Sequence, residues 1–129
     1  MEHWAQKYVG EIWTKSCDCG YWFCRVQKEV FGRDLPDVFV GYKGVRNAAR
    51  ILNSEEVQEL SRAVKTEDPK DGDAVFLTQR KRPHHIGIVA WIDGRIKILH
   101  AIETTGVILT DLLSLRSNGW QVAGYWTWK

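Results

Sequence analysis

Cys19 follows Asp18 in the run Ser16-Cys17-Asp18-Cys19-Gly20-Tyr21-Trp22-Phe23, and two histidines, His85 and His100, recur much later in the chain. A thiol with two imidazoles is the raw material of nucleophilic acyl transfer: sulfur attacks a carbonyl carbon, one imidazole moves the proton and the other orients the first. Asp18 is a good N-cap, which puts Cys19 in the first turn of a helix. The unpaired amide N–H groups and the positive dipole end there favour thiolate, so this placement predicts a cysteine pKa lowered toward neutrality. The plainer alternative is a small buried hydrophobe at the top of a core helix.

The helix that must position Cys19 is legible. Trp22, Phe23, Val26 and Val30 recur at helical spacing on the side of Cys19, leaving Arg25, Lys28 and Glu29 for solvent, and Gly32 stops the helix. Further on, residues 85–92 and 95–102 are two apolar, β-branched runs separated by Asp93-Gly94, a strong signal for a type I′ hairpin. Pairing Ile92 with Arg95 sets Trp91 opposite Ile96, Val89 opposite Ile98, Gly87 opposite His100 and His85 opposite Ile102. One sheet face then carries all eight of these residues from Trp91 to His85, and it is apolar except for the two histidines. His85 and His100 become diagonal neighbours, roughly 7–8 Å apart at the backbone, and Gly87 leaves space for the rings to meet. His84 alternates to the other face. One histidine on such a face reads as a satisfied core residue; two, in a chain with a helix-start cysteine, read as a base and its orienting partner.

With these residues in place, the chain resembles the NlpC-type cell-wall cysteine peptidases, a papain-like family that cleaves peptidoglycan stem peptides, and especially the versions encoded among bacteriophage tail genes. The resemblance runs through Tyr8-Val9-Gly10 with Trp13, Asp18-Cys19, Phe31-Gly32 with Leu35-Pro36, Gly72-Asp73-Ala74-Val75-Phe76, His85-Ile86-Gly87-Ile88, Leu99-His100-Ala101, Gly106-Val107 and Gly124-Tyr125. It implies Cys19 as nucleophile, His85 as general base and His100 as the orienting residue, with no metal or organic cofactor. Two departures stand out. The family follows its Asp-Cys with Ser-Gly or Trp-Gly and then Leu, whereas Gly20 follows Cys19 directly here. The tyrosine that lines the oxyanion region in many members is replaced by Trp13, leaving the backbone N–H of Cys19 as the oxyanion donor.

Composition bounds the remaining possibilities. The 129 residues form one domain with 44% hydrophobic and 26% charged residues, ordinary globular values. A net charge of +2 is too small to argue for a nucleic-acid partner. Arg80-Lys81-Arg82 is the most basic cluster, either a solvated loop or a rim that attracts carboxylates. Of the seven tryptophans most serve packing, with Trp4, Trp120, Trp126 and Trp128 available to line a groove. The three cysteines form no disulfide framework. Cys17, Cys19 and Cys24 with His84 and His85 raise a zinc site, but the one-residue gap between Cys17 and Cys19 and the lack of a second cysteine pair argue against it. No signal peptide or membrane span is visible, so the expected location is the cytoplasm on synthesis, unless the protein leaves as part of a tail assembly.

Asn53 or Ser54 caps a second expected helix with Val57, Leu60 and Val64 as its stripe, ending near Thr66. A turn at 69–73 leads into the first strand, and strands at 106–110 and 121–127 follow the hairpin. The expectation is an α+β, papain-like fold: N-terminal helices, with the nucleophile at a helix start, packed on an antiparallel β-sheet. The implied partners are a peptidoglycan stem peptide and phage tail proteins, with no membrane. Two further functions share these residues: a catalytically silent structural subunit of a phage tail tip, and an acyl transferase whose thioester passes to an amine.

Overall fold

A computed structural model of the protein describes residues 3–35, 63–79 and 82–128. Its elements are a 3-10 helix at Trp4–Tyr8, helix α1 at Cys19–Phe31, strands β1 (Ala63–Thr66), β2 (Ala74–Gln79), β3 (Arg82–Ile92), β4 (Arg95–Ile102) and β5 (Gly106–Asp111), a short helix α2 at Leu112–Ser117, and strand β6 (Gln121–Trp128). The six strands form one antiparallel sheet in the order β1-β6-β2-β3-β4-β5. The α+β class and antiparallel sheet agree with the sequence reading.

Helix α1 forms where the sequence places it, for the reasons the sequence offers. Asp18 is the N-cap, its carboxylate accepting from the Tyr21 N–H at 2.9 Å. Gly32, at φ 68°, ends the helix in the left-handed conformation. Trp22, Phe23 and Val26 are buried while Arg25, Lys28 and Glu29 are exposed. The buried side packs on Phe76, Ile86, Ile88, Ala90, Leu99 and Ala101, which alternate along β2, β3 and β4.

The opposite sheet face holds a second cluster. Val75, Leu77, Val89 and Ile98 are covered by Leu115 of α2 and by Trp120 in the loop after it. The two-layer arrangement therefore has a third, smaller layer, and α2 was not anticipated from sequence. Its cap is Asp111, whose side chain accepts from the Ser114 N–H at 2.7 Å.

The β3–β4 register is the predicted one: Ile92 pairs with Arg95, Trp91 with Ile96 and Val89 with Ile98. Asp93 and Gly94 both have positive φ, 53° and 76°, as a type I′ turn requires. The expected second helix needs correction at its end, because Ala63–Thr66 is a strand and Val64 pairs with Thr127 of β6. Pairing with a distant segment overrides local helical periodicity there. The rest of that helix, including Val57 and Leu60, and the side chains of Arg80, Lys81, Arg82 and His84 lie outside the described residues.

Candidate active site

His85 and His100 project from adjacent antiparallel strands, and their rings meet. His85 Nε2 lies 2.9 Å from His100 Nδ1, a hydrogen bond, with the rings nearly perpendicular at 71°. Both are buried, at 8% and 3% exposure, so this polar pair is withdrawn from water. Gly87 makes the approach possible: a Cβ there would stand 2.7 Å from Ile98 Cγ2 and 3.3 Å from His100 Cβ. Opposite His85, β2 carries register shifts on both sides of Leu77, one against β3 and one against β6. Such irregularities bend a strand and re-aim its neighbours' side chains.

Two further residues fix the pair: Trp120, which the sequence offers only as a groove-lining candidate, and Thr110, which it does not single out. Trp120 stacks on the His85 ring, centroids 4.9 Å apart and planes 31° from parallel. Thr110 Oγ1 lies 2.9 Å from His100 Nε2, so both ring nitrogens of His100 have partners. The signal for Thr110 lay in the β4–β5 register, in which His100 pairs with Ile108 and Ile98 with Thr110. That register could not be read because residues 103–105 carry no diagnostic turn pair. Burial holds the His100 imidazole well below its ordinary range, at about 4, so it is neutral at physiological pH.

Cys19 opens α1 and meets the sheet beside Ile86 of β3. Its thiol hydrogen-bonds with the backbone of Ile86, the residue next to His85. Cys19, Ile86, Gly87 and His100 share the walls of a cavity of about 10 Å³, at the lower limit of what holds one water molecule. A peptide therefore cannot enter this cavity and would have to meet the thiol from outside. The other two cysteines, Cys17 and Cys24, form no disulfide and are partly buried against the α1 core.

The expected lowering of the Cys19 pKa is reversed. Burial pushes the thiol up to about 12 and the Asp18 carboxylate pushes the same way, while amide hydrogen bonds from Ile86, Gly20 and Cys19 itself pull down without overcoming burial. The helix-start donors are real, but the desolvation of the sulfur outweighs them. The tryptophans divide between roles: Trp126 is a core residue at 2% exposure, whereas Trp120 both stacks on His85 and lines a second cavity of about 460 Å³ with Leu112, Leu115, Arg116 and Tyr125. Among the described residues no three His, Cys, Asp or Glu side chains converge as a metal site, and no helix is long and apolar enough to cross a membrane.

No curated protein matches the chain. The family comparison does match it, over residues 5–126, a span that contains the helix-start cysteine, both paired histidines and Trp120. The α+β architecture with its six-stranded antiparallel sheet is compatible with the papain-like arrangement of that family. With nearly its whole length matched, this chain belongs to the NlpC/P60 family.

Proposed function

We propose that the protein is a cysteine hydrolase that cleaves amide bonds in peptidoglycan stem peptides, with Cys19 as nucleophile, His85 as base and His100 as orienting residue. The NlpC/P60 family is typified by cysteine peptidases and amidases of the cell wall, which supports this reaction class. The observation that carries the reading is the buried His85–His100 pair, joined at 2.9 Å, next to Ile86, whose backbone meets the Cys19 thiol. The finer assignment, to the branch encoded with phage tails, rests on the resemblance of the motifs alone.

In this mechanism the resting thiol is protonated, as its burial requires. His85 Nδ1, the ring nitrogen not committed to His100, takes the proton as sulfur bonds to the carbonyl carbon. The carbonyl oxygen becomes an oxyanion beside the backbone N–H groups at the start of α1. Collapse breaks the carbon–nitrogen bond, and the amine leaves with the proton from His85. Water then gives a proton to His85 as it attacks the thioester, and the carboxylic acid departs as the thiol is restored. His100 keeps His85 in one orientation and one tautomer throughout, and Trp120 holds the ring from its face.

The test is incubation with purified muropeptides and, separately, with casein, followed by mass spectrometry, using Cys19→Ala as the control. New amine and carboxyl ends in muropeptides, absent with the control, are expected. Cleavage of casein with intact muropeptides would overturn the substrate class, and equal products from Cys19→Ala would overturn the nucleophile.

A further inference from the structure

We propose that Thr110 is a positioning residue that sets the tautomer of the histidine pair, accepting the His100 Nε2–H so that His85 is left with an unprotonated Nδ1. The inference rests on the catalytic reading above for its consequence, but its structural content stands apart from it.

Three groups stand in line and share a small, countable set of protons. Thr110 Oγ1 is 2.9 Å from His100 Nε2, and His100 Nδ1 is 2.9 Å from His85 Nε2. His100 is buried and neutral, so it carries one ring proton. Suppose Thr110 accepts. The proton is then on His100 Nε2, His100 Nδ1 is an acceptor, His85 Nε2–H donates to it, and a neutral His85 has its lone pair on Nδ1. Suppose instead Thr110 donates. His100 then carries its proton on Nδ1 and donates to His85 Nε2, and a neutral His85 must carry its own proton on Nδ1. The first arrangement offers a base toward the thiol; the second offers none. A hydroxyl can play either part, so Thr110 is where the choice is made.

Sheet geometry explains why this hydroxyl is available. His100 pairs with Ile108, and Thr110 pairs with Ile98. Thr110 is thus the diagonal neighbour of His100 on the same face, within reach of a ring that leans along its strand. The other ring nitrogen is already taken by His85, so no other described residue competes for the Nε2 position.

Removing the hydroxyl strands one buried nitrogen of His100. With Val at position 110, a proton on Nε2 faces apolar groups, and the tautomer with the proton on Nδ1, which still finds His85, becomes the favoured one. Thr110→Val should therefore lower kcat by about 10- to 100-fold with KM within about twofold, while Thr110→Ser, which keeps the hydroxyl, should stay within about threefold of wild type. The direct readout is histidine ring 15N–1H correlation by NMR, assigned with a His100→Gln variant. Wild type and Thr110→Ser should show His100 protonated at Nε2, and Thr110→Val should show it moved to Nδ1. Protonation of His100 at Nδ1 in the wild-type protein would overturn the inference, with or without turnover, as would an unmoved tautomer in Thr110→Val. If Thr110→Val does not fold, the wild-type and Thr110→Ser spectra decide alone. Absence of muropeptide cleavage with the Nε2 tautomer present would count against the catalytic reading and leave the proton relay standing.

Discussion

Replacing His85 with alanine isolates the chemistry of the Cys19 thiol, and its size follows from the burial of the sulfur. At pH 7 a thiol of pKa about 12 is about one part in 10⁵ thiolate, against about 3% for an ordinary cysteine of pKa about 8.5. That is a deficit of about 3000-fold in reactive species. A more basic thiolate is intrinsically more nucleophilic, and a Brønsted slope of about 0.45 over about 3.5 pKa units returns a factor of about 40. The net expectation is that Cys19 in His85→Ala is alkylated roughly 100-fold more slowly than a small free thiol at pH 7, before any loss from restricted access. Its rate should climb about tenfold per pH unit to about pH 11. With His85 present the proton has somewhere to go, so the same sulfur should react at least tenfold faster at pH 7. The assay is iodoacetamide labelling followed by intact-mass spectrometry in a Cys17→Ser, Cys24→Ser background, with the free thiol as internal standard. Comparing one sulfur in two backgrounds cancels its accessibility. Equal rates with and without His85 would refute the base assignment, and a plateau below pH 9 in His85→Ala would refute the buried-thiol argument.

Two other outcomes follow from the same geometry. His100 is 3% exposed and held at about 4. Below pH 6.5 the unfolded chain therefore binds a proton that the folded protein refuses; stability should fall by up to about 3 kcal/mol between pH 6.5 and 4 and level off below, and urea unfolding of His100→Gln should lack that component, the idea failing if both proteins show the same slope between pH 6.5 and 5. Gly87→Ala would press a methyl group to 2.7 Å from Ile98 Cγ2 and 3.0 Å from the Leu99 carbonyl oxygen, an overpacking that should cost about 1–3 kcal/mol in urea unfolding and spread the histidine pair; an unchanged urea midpoint would show that the strands give way freely.

What could be read from the sequence was local, and what could not was remote. Helix α1 was legible because Asp18, the apolar stripe and Gly32 are all within one segment. The meeting of His85 with His100 was legible because Asp93 and Gly94 admit one tight turn, and a turn of known length fixes every pair along both strands. Strand β1 reads as the end of a helix because, among the described residues, its four residues pair only with β6, more than fifty residues away. The direction of the Cys19 shift has the same origin: helix-end donors are visible in the neighbouring residues, whereas Ile86, Ile88 and Leu99, which help enclose the sulfur, come from the sheet. Trp120 escaped as a site residue because nothing near it in sequence mentions His85; α2 and the turn after it bring the indole there.

The position of β6 bears on how this molecule comes together. Strands β2 to β5 form a simple meander whose contacts are near in sequence, so the edge of the sheet carrying both histidines can assemble early. The strand that comes latest in sequence is an interior one, inserted between β1 and β2. Until residues 121–128 arrive, β2 presents a row of unpaired amides and carbonyls flanked by Val75, Phe76 and Leu77, an open template for another chain. Completion of the sheet is thus a slow, long-range step that leaves an aggregation-prone edge waiting, and the aromatic-rich segment Gly124-Tyr125-Trp126-Thr127-Trp128 is the clasp that closes it.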